Sequence, residues 1–254
     1  MTCEKVLRLA LVLTLTGLPL LAQVGCRTTG DPDAAAGLYP ARQVWAVAPL
    51  RNQSGTQTVD TARIADHLAR QIELSPGIDV LPVNRTLEAM ESLGMTDVAD
   101  KNAAVALRRT LGVDALIIGN VTAYEPYPPP KLGLAVEMYV DTDRPWFADP
   151  QALRDLSAAP TDELSRPVGY ETHDRQPITT VSGYIDGGSP AIRDAIERYA
   201  RQRGSHDDMV VPWRRYMLSM DLFTEFAATR VRERLLAAEA GRLAELQAAT
   251  QEEP

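Results

Sequence analysis

Leu111-Gly112-Val113-Asp114-Ala115-Leu116-Ile117-Ile118-Gly119-Asn120-Val121-Thr122-Ala123-Tyr124 is the stretch on which the fold turns. Gly112 stands where a helical pattern stops, the position at which a left-handed residue ends a helix. From there the apolar residues run on without alternating, and continuous apolarity predicts a strand covered on both faces. Gly119 within that strand predicts that a neighbouring backbone comes close. A helix feeding directly into a buried strand indicates an α/β domain.

Upstream, Gln43-Val44-Trp45-Ala46-Val47-Ala48-Pro49-Leu50 is a second nearly continuous apolar run of strand length. Arg51 to Thr58 form a polar loop, and Asp60 is placed to cap a helix in which Ile64, Leu68 and Ile72 recur every four residues before Ser75-Pro76-Gly77 stops it. Ile78 to Val83 predicts a short strand that Pro82 assigns to a sheet edge or to its own end. Asn84 is expected to cap a helix carrying Leu87, Met90 and Leu93, closed by Gly94. A third helix, Lys101 to Leu111, aligns Ala104, Leu107 and Leu111 on one face.

Downstream of Pro126-Tyr127-Pro128-Pro129-Pro130, residues Lys131 to Val140 alternate strictly between apolar and other residues. Period two over that length predicts a half-exposed strand antiparallel to its neighbour. Residues 42–140 therefore predict an α/β domain, a small mixed sheet with flanking helices in a layered sandwich. Ten of the eighteen prolines fall between Tyr124 and Pro190. Residues 141–188 are expected to be a Pro-rich irregular segment with one short strand around 178–185.

Ser189-Pro190 opens a further helix with Ile192, Ile196 and Tyr199 on one face. A long C-terminal amphipathic helix follows from Trp213 to about Ala248. Its stripe is Trp213, Met217, Met220, Phe223, Ala227, Val231 and Leu235. Residues 189–254 are expected to pack on the domain, with last turns that are exposed or frayed past Ala238, where the apolar residues thin out.

The N-terminus reads differently. Lys5 and Arg8 precede an uncharged run from Leu9 to Ala22, which has the length of a signal h-region and falls short of a spanning helix. Residues 1–25 are thus expected to be a signal peptide. Gly25-Cys26 resembles the lipobox of bacterial lipoproteins, although Gln23 stands where that pattern prefers Leu; the alternative is an ordinary cleaved signal. Residues 26–41 then read as a lipidated Cys26 and a flexible tether, since Arg27 to Gly37 offer no apolar periodicity. Arg27 resembles the residue found there in lipoproteins sorted to the outer membrane.

Composition narrows the chemistry. The chain has 254 residues, 45% of them hydrophobic and 24% charged, as a globular protein does. Its 26 Lys+Arg against 34 Asp+Glu leave a net charge of -8, which argues against a nucleic-acid partner. Cys3 and Cys26 are the only thiols, so the body of the chain has no disulfide framework, Cys-ligated zinc or cysteine nucleophile.

No catalytic or metal set emerges from spacing. Leu50-Arg51-Asn52-Gln53-Ser54-Gly55 has one glycine and no lysine where a phosphate loop would stand, so no nucleotide and no cofactor are expected, though Arg51 is placed to pair an anion. His67, His173 and His206 do not fall three or four residues from one another. Asp66-His67 reads as a helix-boundary pair, His206-Asp207-Asp208 as a solvated helix stop, and Glu88 with Glu91 as surface spacing. Tyr124, Tyr127, Trp146 and Phe147 form the candidate partner surface, with a loop covering the sheet edge as the alternative.

Val44 to Gly55 carries the pattern Val-x-Ala-Val-Ala-Pro-Leu-x-Asn-x-Ser-Gly. With Val83-Asn84-Arg85 and Leu111 to Val121, it resembles the periplasmic domain of the curli-secretion lipoprotein CsgG and its relatives, among them polysaccharide-export lipoproteins and lipoprotein activators of penicillin-binding proteins. The resemblance covers residues 44 to about 140. It implies a non-enzymatic envelope lipoprotein in the periplasm, anchored to the outer membrane through Cys26, that acts by contacts with envelope proteins or as a self-oligomer in export, secretion or cell-wall assembly. The long alternating hairpins of a secretion channel have no counterpart in the proline-interrupted residues 141–188. Two other classes stay open: a glycan- or peptidoglycan-binding module using Tyr124, Tyr127 and Trp146, and a hydrolase with an unrecognised carboxylate cleft.

Overall fold

A six-stranded mixed sheet sets the frame of the computed structural model, which describes residues 37–140, 179–203 and 212–252. The elements are β1 Gln43–Val47, β2 Arg51–Asn52, α1 Thr61–Glu73, β3 Ile78–Leu81, α2 Val83–Ser92, α3 Lys101–Leu111, β4 Ala115–Glu125 and β5 Lys131–Val140. They are followed by β6 Thr179–Asp186, α4 Pro190–Gln202, α5 Pro212–Leu218 and α6 Met220–Glu252.

The sheet runs β3-β1-β4-β5-β6. β1 lies parallel between β3 and β4, and β2 continues alongside β4 beyond the break at Pro49, pairing Arg51 with Asn120. β5 is antiparallel to both β4 and β6. The mixed layered α/β architecture read from the sequence is the one observed.

Strand polarity explains why the apolar runs are continuous at one side of the sheet and alternating at the other. Trp45, Val47, Ala115 and Ile117 point into one core with α1, α4, α5 and α6, while Ala46, Ala48, Leu116 and Ile118 point into a second core under α2 and α3. On β5 only Leu132, Leu134, Val136, Met138 and Val140 join the first core, which is the alternating set. Gly119 brings the backbones of β4 and β5 together: a Cβ there would sit 2.4 Å from the carbonyl oxygen of Ala135.

The caps follow sequence in most places. Asp60 accepts a 2.9 Å hydrogen bond from the Arg63 N–H, and Asp100 accepts one of the same length from Ala103. Gly112 closes α3 with φ +65°, and Gly94 follows α2 with φ +67°. Asn84 differs: α2 starts at Val83, after Pro82, so Asn84 is the second helical residue and does not cap. The buried face of α2 is Val83, Thr86 and Met90, leaving Leu87 and Leu93 exposed.

One correction concerns the C-terminal half. The residues expected as one helix from Trp213 form α5 and α6, broken at Ser219. The Ser219 carbonyl accepts from Phe223 and its hydroxyl from Leu222, so this residue caps α6. The last turns, expected to be exposed or frayed past Ala238, remain helical to Glu252; Ala244 to Ala248 are exposed, and Glu239 and Leu243 are buried. The short strand expected around 178–185 is β6, Thr179–Asp186, while residues 141–178 lie outside the described residues.

The stripe of α5 and α6 packs on its own sheet. Met217, Phe223, Ala227, Val231 and Leu235 are buried in the first core. No helix among the described residues is long and apolar enough to cross a membrane.

Candidate functional site

A cleft of about 90 Å³ opens on the α2–α3 side of the sheet, beside the point where β2 takes over from β1 along β4. Val98 and Ile118 supply its buried apolar wall, and Arg51, Asp100, Asn120, Glu137 and Tyr139 its polar one. In open parallel sheets the crevice at the carboxyl end of the strands, where the order reverses, is the usual ligand position.

Four polar groups of this cleft have partners within the chain, and the buried Oδ1 of Asn120 accepts no hydrogen bond. Arg51 Nε meets Asp97 Oδ2 at 3.0 Å, and its guanidinium also donates to the Ala99 carbonyl at 3.4 Å. The anion partner expected for Arg51 is thus a carboxylate of the same chain. Asp100 caps α3. The Tyr139 hydroxyl donates to Glu137 Oε2 at 3.0 Å, and burial together with that carboxylate pushes its pKa far above the ordinary phenol value. Such a hydroxyl neither gives nor takes a proton near neutrality, so the pair serves as a tie between neighbouring residues of β5.

His67 is the other titratable side chain singled out by sequence. It sits in α1 with Nε2 at 3.8 Å from Asp221 of α6, beyond hydrogen-bond length, while Asp221 is taken by Arg63 at 2.5 Å. Burial, then the Arg70 charge, lower the imidazole pKa against the pull of Asp221 and Glu225. The group joins two helices and lacks the alignment of a proton relay. Glu88 pairs with Arg85 at 2.9 Å on the exposed face of α2, and Glu91 is also exposed. His173, His206, Asp207 and Asp208 lie outside the described residues.

The candidate partner surface separates into two environments. Tyr124 is half-buried against the first core, and burial raises its pKa. Tyr127, in the turn between β4 and β5, is 82% exposed. Trp146 and Phe147 lie outside the described residues. Sequence reasoning missed Tyr184, 58% exposed on β6, which shares an open sheet face with Thr180 and Ser182. The alternation of Thr179 to Asp186 was the available signal.

Tyr127 and Tyr184 occupy the same end of the sheet. Lys131 pairs in register with Asp186, Gly133 with Tyr184, and the Gly187 N–H donates to the Pro130 carbonyl at 2.9 Å. The chain enters at the opposite end: Gly37 lies against Pro76, and Gln43 starts β1 by donating to the Gly77 carbonyl at 2.9 Å. The eleven residues of β4 separate the two ends by roughly 33 Å.

No protein-family profile matches the chain, and no curated protein matches it in sequence. Among solved structures it is similar to the LpoB C-terminal domain from Salmonella enterica, at 14% identity and a TM-score of 0.33, over 39% of this chain and 73% of that one. It is similar to the lipoprotein GNA1162 from Neisseria meningitidis, at 16% identity and a TM-score of 0.39, over 64% of this chain and 99% of that one. A third similarity is to the PelC dodecamer from Paraburkholderia phytofirmans, at 14% identity and a TM-score of 0.27, over 41% of this chain and 65% of that one.

Proposed function

We propose that this chain is a lipid-anchored, non-enzymatic protein of the bacterial cell envelope. It is held at the outer membrane through Cys26 and acts by contacts with envelope proteins or with copies of itself, in export, secretion or cell-wall assembly. The observation that carries the reading is the polarity of the domain. The chain enters at one end of the sheet, and exposed Tyr127 and Tyr184 stand at the other. A tether on the first end holds the second away from the membrane, where a partner can reach it.

The signal-like residues 1–25 and the Gly25-Cys26 pair support the anchor. The resemblance of residues 44 to about 140 to the curli-secretion group supports contact-based work over catalysis. In cells given labelled palmitate, the wild-type chain takes up label and Cys26→Ala does not; equal labelling of both removes the anchor from the reading. Binding of purified peptidoglycan that is abolished in Tyr127→Ala and Tyr184→Ala would replace the protein-contact reading with a glycan-binding one.

A further inference from the structure

Leu218 is 74% exposed at the end of α5, whose Tyr216 and Met217 are buried in the first core. Arg214 and Arg215, four and three residues before it, share its exposed face of the helix. This face borders the β4–β5 turn. A Cβ on Gly187 would lie 3.1 Å from Met217 Sδ and 2.9 Å from the Pro130 carbonyl oxygen, and one on Gly188 would lie 3.4 Å from Pro129 Cγ. Tyr127, Pro128 and Pro129 are exposed in that turn. Exposed tyrosine, proline and leucine with arginines at their margin match the composition of a contact surface.

Charge selects the partner. Arg193, Arg198, Arg214 and Arg215 form no ion pair among the described residues, and Arg214 lies over the Trp213 ring at 5.8 Å. Among the described residues of α4 and α5, Asp194 is the one exposed carboxylate without an ion pair, while Glu197 and Glu225 take Arg201 and Arg203. The carboxylates around the turn are engaged: Glu125 with Lys131 at 3.0 Å, Asp221 with Arg63 at 2.5 Å, and Asp186 with the Gly188 N–H at 2.8 Å. Residues 190–218 carry six arginines against four carboxylates, Asp207 and Asp208 included, in a chain whose net charge is -8. The open charge on this face is therefore positive, and an uncompensated guanidinium is matched by a carboxylate.

We propose that α5 and the β4–β5 turn dock an acidic segment of another envelope protein. An apolar side chain of that segment lies on Leu218, Tyr127 and Pro128, and its carboxylates meet Arg214 and Arg215. This assignment rests on the protein-contact reading above and deepens it, and it holds with or without a lipid on Cys26.

The test places a photo-reactive phenylalanine analogue at position 218, 127 or 184 of the full-length chain, in the cells that make it, and maps the adducts by mass spectrometry. All three positions are exposed, so the probe disturbs no core. Positions 218 and 127 capture a peptide rich in Asp and Glu from one other protein. Arg214→Glu with Arg215→Glu lowers both adducts about tenfold or more while the urea midpoint stays that of wild type. If the reversed chain is destabilised, Arg214→Gln with Arg215→Gln reads the same contrast. Adducts that persist in the charge variants, or that fall on a neutral or basic peptide, a lipid, a glycan or a second copy of this chain, overturn the assignment. Capture at position 184 alone overturns it too and leaves the contact reading standing. No adduct at any of the three positions overturns both.

Discussion

The Tyr39 hydroxyl donates a 2.9 Å hydrogen bond to Oε1 of Glu239, joining two residues 200 positions apart. Glu239 is fully buried and also takes two hydrogen bonds from Arg242, at 2.7 and 2.5 Å. Tyr39 meets Trp45 edge to face at 6.0 Å between centroids. The residue at which the chain enters the domain is therefore clamped between the first strand and the distal part of the last helix. Burial, and next the Glu239 charge, raise the Tyr39 pKa far above the phenol range, so the hydroxyl remains a donor throughout physiological pH.

Glu239→Ala removes the charge that neutralises half-buried Arg242, and is expected to cost about 3 kcal/mol. Tyr39→Phe removes one hydrogen bond to a charged acceptor and should cost about 2 kcal/mol. Urea midpoints measure both. A double variant whose loss is smaller than the sum of the singles would confirm that the two residues act together.

The long helix is a core element, and its removal should unfold the domain. Phe223 is completely buried between α6 and the sheet, so Phe223→Ala is expected to cost about 4 kcal/mol. Leu218→Ala, at a site 74% exposed, should stay within about 0.5 kcal/mol of wild type. Chemical denaturation of the two variants side by side checks the contrast. Truncation after residue 203 should abolish cooperative unfolding and the fixed aromatic circular dichroism of the folded chain.

Two glycines should respond differently to a methyl group. At Gly119 a Cβ would meet the Ala135 carbonyl oxygen at 2.4 Å and Val136 Cα at 3.0 Å, both backbone atoms in the middle of the sheet. Gly119→Ala is expected to cost about 3 kcal/mol, because two paired strands must part. At Gly112 nothing lies within 4 Å and only φ +65° opposes a side chain, so Gly112→Ala should cost about 1 kcal/mol. Thermal melting of the two variants distinguishes steric from conformational cost.

His67 predicts a pH dependence. Its folded pKa lies below that of an ordinary imidazole, with burial as the main cause, so the unfolded chain binds the proton more readily. Stability is then complete above about pH 6.5 and falls as pH drops from there toward the folded pKa. His67→Gln should flatten that part of a plot of urea midpoint against pH. A slope unchanged in the variant assigns the loss to other groups.

Sequence by itself determined the order and the kind of the elements from β1 to β5 apart from β2, two residues of strand at the start of the stretch read as a polar loop, because periodicity and caps are local. Continuous apolarity in Val44 to Ala48 and in Ala115 to Ile118 follows from two-sided burial, and the alternation of Lys131 to Val140 from one-sided burial. Gly112 and Asp60 ended and began their helices as local backbone chemistry requires. Asn84 was misread because Pro82 moves the start of α2 forward by a residue or two, and the true buried face then falls on Val83, Thr86 and Met90.

Tertiary structure decided what the side chains do. Arg51 has the sequence context of an anion site, yet Asp97, 46 positions away, occupies its guanidinium. Tyr124 and Tyr127 are three residues apart, and the position of the β4–β5 turn makes one half-buried and the other exposed. Glu239 looks like a surface residue of a thinning helix, and Tyr39 makes it part of the interior. These outcomes depend on which distant groups the sheet brings together, a pairing set by long-range packing that local periodicity does not encode.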